Sequence, residues 1–168
     1  MTICITGTPC TGKTSLSKML AGKLGFKRID IMKLIKEKKL HNSYDRESKC
    51  YVVDTRKLSS ALSKIVEKNK ETIIDSHLSH YLHPKYVELC IVTKCELRIL
   101  RKRLEKRKYG KKKVMENLES EIFDICLNEA KEMGHMVFVI DTTKGIKNRA
   151  MDRLLGALNE ARTRGRRT

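Results

Sequence analysis

The chain reads as an α/β protein built on a parallel sheet wound on both faces, with a ligand-binding loop close to its first residue. Three observations carry that reading. A short apolar run (Ile3, Cys4, Ile5) leads directly into Gly7-Thr8-Pro9-Cys10-Thr11-Gly12-Lys13-Thr14, which matches G-x-x-x-x-G-K-[ST]. Apolar stretches of strand length then alternate with segments of helical period along the chain. Its 168 residues are the size of one domain, with neither a repeat nor a linker.

Each element follows from local pattern. Thr2–Thr6 is a first strand feeding the glycine loop, and Leu16, Met19, Leu20 and Leu24 give the helix over 13–24 an apolar stripe that ends at Gly25. Lys27–Asp30 is a second strand, followed by a short helix over 31–38. Residues 40–53 are polar and mixed, with Asn42, Ser43 and Asp45 as turn signals, and are expected to be irregular. Leu58, Leu62 and Ile65 set a helix over 55–67. Thr72-Ile73-Ile74-Asp75 is a buried strand ending in a carboxylate, and 86–92 is another. A long helix begins near Glu96; the run 98–113 is too charged to serve as core on any face and is interrupted by Tyr109-Gly110. It is therefore expected to break into a mobile lid before a helix over 114–132. The last strand covers 136–141, and 152–162 falls in the last helix. Helices between strands imply right-handed crossovers and hence a parallel sheet.

The glycine loop has the chemistry of a phosphate cradle. Glycines let the backbone wrap an anion with successive N–H groups pointing inward; Lys13 adds a mobile cation for β- and γ-phosphates, and Thr14 a hydroxyl for Mg²⁺. The helix starting near Lys13 turns its positive dipole end to the same anion. Asp75 ends its strand on the side where ligands bind in such sheets, so it can hold Mg²⁺ through water or orient a nucleophile; a helix N-cap is its structural alternative. His77, two residues on, can position water or a phosphate oxygen. His77, His80 and His83 are spaced like one helical face, but no cysteine is close in sequence to complete a zinc site, which leaves capping or surface polarity for His80 and His83. Arg101, Arg103 and Arg107 fall on the expected lid, where guanidinium groups can close over transferring phosphates.

Composition narrows the class further. Hydrophobic residues make up 40% and charged residues 34%, the balance of a globular protein, and no apolar run approaches a membrane span. The first strand begins almost at Met1, with no room for a signal peptide, so an intracellular location is expected. The cysteines at 4, 10, 50, 90, 95 and 126 contain no C-x-x-C pair and read as reduced thiols, most of them in the core. A formal net charge of +17 attracts polyanions, concentrated at 36–39, 98–113 and the tail 162–167.

The phosphate loop, Ile74-Asp75-Ser76-His77-Leu78-Ser79-His80, and Arg103-Leu104-Glu105-Lys106-Arg107-Lys108-Tyr109 together resemble the adenylate kinase isoenzyme 6 group, which includes archaeal proteins and a coilin-interacting nuclear ATPase. Glu116-Asn117-Leu118-Glu119-Ser120-Glu121-Ile122 and Asp141-Thr142-Thr143-Lys144 are similar too, so the likeness covers nearly the whole chain except the basic tail. The resemblance implies a P-loop nucleoside monophosphate kinase fold with a five-stranded parallel sheet, an AMP-binding insertion at about 30–53, a lid at about 106–116 and a basic tail at about 162–168. It implies the reaction ATP + AMP ⇌ 2 ADP with Mg²⁺, a weak ATPase activity, and a role in small ribosomal subunit maturation through a small-subunit ribosomal protein and pre-rRNA. Carried across residue by residue, Cys10, Gly12, Lys13, Thr14 and Ser15 hold the ATP phosphates, and Thr14 and Asp75 serve the metal. Asp75 and His77 act on metal and on water or acceptor, Arg103 and Arg107 close the lid, and Lys144 lies near the adenine. Cys10 stands where the group usually has glycine, and Lys36 where related kinases present arginine to the AMP phosphate. The histidine-rich 76–83 segment is closer to archaeal members, which implies a cytoplasmic protein. The alternatives are a ribosome-assembly ATPase switch with vestigial AMP kinase activity and a kinase for another small acceptor.

Overall fold

The computed structural model describes residues 1–45, 50–69 and 71–164. Five strands form one sheet: β1 (Thr2–Thr6), β2 (Lys27–Asp30), β5 (Thr72–Asp75), β6 (Leu89–Lys94) and β7 (Val137–Asp141). Their order is β2-β5-β1-β6-β7, and every neighbouring pair is parallel. All five residues of β1 are buried, because it is the middle strand with neighbours on both edges and helices on both faces.

Alternation of side chains across this sheet builds two cores. Cys4, Ile74, Cys90 and Val92 point to one face and meet α2 (Ile31–Glu37), α3 (Thr55–Lys68) and α6 (Ile125–Glu132) through Ile31, Ile35, Leu58, Leu62 and Ala130. Ile3, Ile5, Ile73, Leu89, Ile91 and Ile140 point to the other and meet α1 (Lys13–Leu24) and α7 (Asn148–Arg164) through Leu16, Leu20, Met151, Leu154 and Leu158. The helix starts are set locally. Asp30 caps α2, its Oδ1 accepting from the Met32 and Lys33 amides, and Asp54 caps α3 in the same way. Gly25, at φ +72°, closes α1 in the left-handed region that glycine tolerates.

Four expectations are corrected. The stretch 40–53 is not irregular: β3 (His41–Asp45) and β4 (Cys50–Val53) pair as an antiparallel hairpin outside the main sheet. The expected strand over 86–92 starts later, because Pro84–Tyr86 takes a 3-10 turn and the backbone pairs with β1 only from Leu89. The charged run is not excluded from the core, since α4 (Leu97–Lys106) buries Leu100 and Leu104 completely. These pack with Cys95, Val114 and Leu118 in a third small cluster beside the phosphate loop. Finally, the helix over 114–132 is two helices, α5 (Lys111–Ile122) and α6, broken where Asp124 adopts φ +54°. Residues 107–110 are the short turn between α4 and α5.

Candidate active site

The loop between β1 and α1 closes on itself around a concave backbone. Cys10 has φ +69° and Gly12 φ +96°, the left-handed turns that aim consecutive amides toward one point. Gly7 is irreplaceable sterically: a Cβ there would lie 2.5 Å from the Thr93 carbonyl oxygen of β6. Below the loop, the Thr11 hydroxyl donates to the Thr8 carbonyl oxygen at 2.7 Å and lies 2.6 Å from Thr93 Oγ1, while the Thr142 hydroxyl donates to the Thr11 carbonyl oxygen. The loop is thereby tied to the ends of β6 and β7.

Lys13 Nζ donates to the carbonyl oxygens of Gly7 at 2.7 Å and Thr8 at 2.8 Å. Burial pulls its ammonium down to about 8, with Cys126, Asp75, Cys10 and Glu121 opposing that drop. Thr14 and Ser15 lie exposed in the first turn of α1, where free amides point out of the loop. Cys10 is half-buried; burial pushes its thiol up, while Arg107, Lys13 and Arg103 pull the other way, which places all three cations around the loop.

Asp75 stands at the carboxyl end of β5, one strand from the loop, and is not a helix cap. Its Oδ2 accepts from Ser17 Oγ at 2.8 Å and from Arg28 Nη1 at 3.0 Å. Ser17 Oγ also lies 3.1 Å from the Thr14 carbonyl oxygen, so one hydroxyl links the carboxylate to the first turn of α1. An oxygen-only donor set of Asp75 and Thr14 fits Mg²⁺. Among the described residues no cluster of three His, Cys, Asp or Glu side chains is arranged to hold a metal. His77 is held down at about 4 by burial, then by the positive surroundings of Lys13, His80 and Lys113, so its imidazole is neutral across the physiological range.

On the far side, Arg103 is not free on a lid. Its Nη2 donates to the carbonyl oxygens of Thr142 at 2.8 Å and Thr143 at 3.1 Å, which docks α4 onto the loop after β7. Arg107 is exposed at the end of α4, near Cys10. Lys144 is exposed in the β7–α7 loop that Arg103 holds. Arg101 points elsewhere, toward Met115 Sδ.

The AAA domain family matches residues 3–124. A Methanocaldococcus jannaschii protein named "Putative adenylate kinase" is 43% identical over 98% of this chain and 89% of its own. The "Adenylate kinase isoenzyme 6 homolog" of Dictyostelium discoideum is 36% identical over 83% of this chain and 79% of its own. The chain belongs to the adenylate kinase isoenzyme 6 family.

The fold also resembles solved kinases of low identity. Deoxyadenosine kinase from M. mycoides superposes with TM-score 0.62 at 15% identity, covering 95% of this chain and all of that one. Shikimate kinase from Acinetobacter baumannii gives TM-score 0.58 at 17% identity, with 96% and 89% covered. These establish a P-loop kinase architecture in this isoenzyme 6 relative and nothing finer. Sequence reasoning brought Lys13, Asp75, His77 and Arg107 to one mouth of the sheet, but it missed Ser17, Arg28 and Thr142. No local pattern marks these three, because each matters only through a partner on another element. His80, expected as surface polarity or a cap, is buried at 1% exposure between β1 and α6; His83 is the cap, its Nδ1 accepting from the Lys85 amide.

Proposed function

We propose that the protein transfers the γ-phosphoryl group of ATP to AMP, giving two ADP, with Mg²⁺ as the companion ion and slow ATP hydrolysis when water takes the acceptor's place. One observation carries the reading: the phosphate loop, Lys13, Asp75, His77 and Arg107 converge at the carboxyl ends of β1 and β5. Phosphoryl transfer is largely positioning and charge stabilisation, and this set supplies both. The loop amides and Lys13 hold β- and γ-phosphates, and Lys13 exchanges the carbonyls of Gly7 and Thr8 for phosphate oxygens. Asp75 and Thr14 would hold the ion, which when bound neutralises charge on those oxygens. A neutral His77 accepts a hydrogen bond from the acceptor or from water, and Arg107 meets charge that develops on transfer. Arg103 and Lys144 flank the purine end through the loop after β7. The acceptor is assigned to the side of α2 and the hairpin, about 30–53, of which 46–49 lie outside the described residues.

A coupled assay with Mg-ATP, run with and without AMP, CMP, UMP or GMP, tests this. ADP formation stimulated strongly by AMP is expected, and a rate indifferent to all four acceptors overturns it. That second result favours another reading, an ATPase switch in small ribosomal subunit maturation acting with a ribosomal protein and pre-rRNA. The observation in its favour is the net charge of +17, with Arg98, Arg101, Lys102, Lys106 and Lys108 all exposed along one helix and its end. A cytoplasmic location accords with either; no helix of the described residues is long and apolar enough to cross a membrane.

A further inference from the structure

Beside the phosphate site runs a buried polar chain to which the proposed reaction assigns no task. His80 lies in the 3-10 turn Ser79–Tyr81. Its Nδ1 is 2.8 Å from Thr6 Oγ1, and its Nε2 is 3.0 Å from Glu129 Oε2 on α6. Glu129 Oε1 accepts from the Tyr81 hydroxyl at 3.2 Å, and His135 Nε2 lies 2.7 Å from the His80 carbonyl oxygen. Thr6 ends β1 immediately before Gly7, and its hydroxyl donates to the His77 carbonyl oxygen at 3.2 Å.

The hydrogens in this chain can be counted. A threonine hydroxyl owns one hydrogen. When that hydrogen goes to the His77 carbonyl, the hydroxyl faces His80 Nδ1 only as an acceptor, so Nδ1 must carry an N–H. Nε2 against a carboxylate oxygen also needs a hydrogen between them. All three contacts therefore close together only when the His80–Glu129 pair holds one proton more than a neutral imidazole beside an ionised carboxylate. Without that proton His80 keeps N–H at Nε2 for Glu129, Nδ1 becomes an acceptor, and it takes the Thr6 hydrogen away from His77.

We propose that His80 is a positioning residue for the phosphoryl transfer, acting through Thr6 on the entry to the phosphate loop and on the His77 backbone, with the His80–Glu129 proton deciding which partner Thr6 holds. This rests on the kinase reading above. The groups facing His80 are Glu129 from α6, His135 from the segment before β7, and Cys4 from β1, whose thiol donates to the Ser79 carbonyl oxygen; the Cys126 thiol of α6 faces Thr6 and the Gly7 amide instead. His77 and Tyr81 face it from its own segment, and α3 meets the turn through apolar Leu58 and Leu62. Burial holds the imidazole below the ordinary histidine range, Glu129 opposes that, and His135 adds to it. The exchange of partners thus falls on the acid side of the usual range, with Thr6 turning to His77 as pH drops.

The test uses the full-length protein with labelled histidines, the His80 signal being identified by its loss in His80→Gln. Glu129→Gln removes the charge while keeping a hydrogen-bonding group, and is expected to move the His80 titration midpoint about one pH unit toward acid. Thr6→Val keeps the branched shape without the hydroxyl. It should lower kcat about three- to tenfold, the size of one hydrogen bond, with KM for ATP changed less than about twofold. In the Thr6→Val background the turnover–pH profile should no longer respond to Glu129→Gln. Equal responses to Glu129→Gln with and without the Thr6 hydroxyl, or a His80 midpoint that does not move, overturn the proposal. If no acceptor is turned over at all, the kinase reading fails by itself, and amide exchange still decides this one. Faster exchange at Gly7 and Leu78 in Thr6→Val supports the positioning role, and unchanged exchange sinks it.

Discussion

Lys13 shares its ammonium hydrogens between two carbonyl oxygens of its own loop, so the protein stores the cation where the phosphates must arrive. Because burial lowers this lysine to about 8, its charge is present below that pH and is lost as pH rises through it. ATP affinity is therefore expected to fall as pH climbs above 8, while Lys13→Arg, which stays charged, should flatten the dependence; titrations of ATP between neutral and strongly alkaline pH check this. Lys13→Ala should remove turnover by about a hundredfold or more with the fold intact. Retention of the wild-type rate would falsify the phosphate-loop assignment. The two arginines should separate. Arg107→Ala is expected to lower kcat more than it raises KM for ATP, since its exposed guanidinium has no structural partner to lose among the hydrogen bonds described. Arg103→Ala removes bonds to the Thr142 and Thr143 carbonyls and should instead raise KM for ATP. Steady-state kinetics on both variants decide the split, and identical behaviour would return Arg103 to the role of a lid arginine.

Among the elements, α4 shows most clearly what sequence pattern hides. Its apolar stripe is only Leu100 and Leu104, four residues apart and flanked by Arg98, Arg101, Lys102, Arg103 and Lys106, so average charge conceals a full face of core. Leu104→Ala should cost about 2–5 kcal/mol by opening a cavity in the small cluster with Cys95, Val114 and Leu118, measured by denaturant unfolding. It should also reduce turnover, because the same helix carries Arg103 and Arg107. A loss of stability with turnover unchanged would separate the helix from the site. The strands β1, β2 and β5 and the helices α1 and α3 were legible, since capping residues, glycines and periodicity all agreed locally. The break between α5 and α6 was not: Asp124 is turned there by Lys94, a residue on β6, through contact with its carboxylate. The hairpin β3–β4 was hidden for the opposite reason: β3, His41-Asn42-Ser43-Tyr44-Asp45, is polar and reads as a turn, and β4, Cys50-Tyr51-Val52-Val53, is too short and uniformly apolar to show an alternation. In the same way Arg28 became a partner of Asp75 only because β2 lies beside β5, a choice of strand order that spacing cannot express.

Charge is the property of the whole molecule. With 37 Lys and Arg against 20 Asp and Glu, binding to structured RNA is expected to be strong at low salt and to weaken steeply as salt rises, each neutralised phosphate releasing condensed counterion. Removing 162–168, of which 165–168 lie outside the described residues, should weaken that binding without changing AMP-stimulated transfer. Filter binding at matched ionic strength with both proteins tests the point, and equal affinities would reduce the tail to a solubilising appendage.

The phosphate loop hangs from β1, the strand that both cores and both neighbouring strands share, so a nucleotide gripping the loop acts on the least separable part of the structure. Its binding energy should then appear undiminished as resistance to heat, about 2.7 kcal/mol at a hundred times Kd, or several degrees of melting temperature at roughly 2–4 °C per kcal/mol for a chain of this size. A melting curve taken across a panel of nucleotides thereby ranks ligands before any catalytic assay exists.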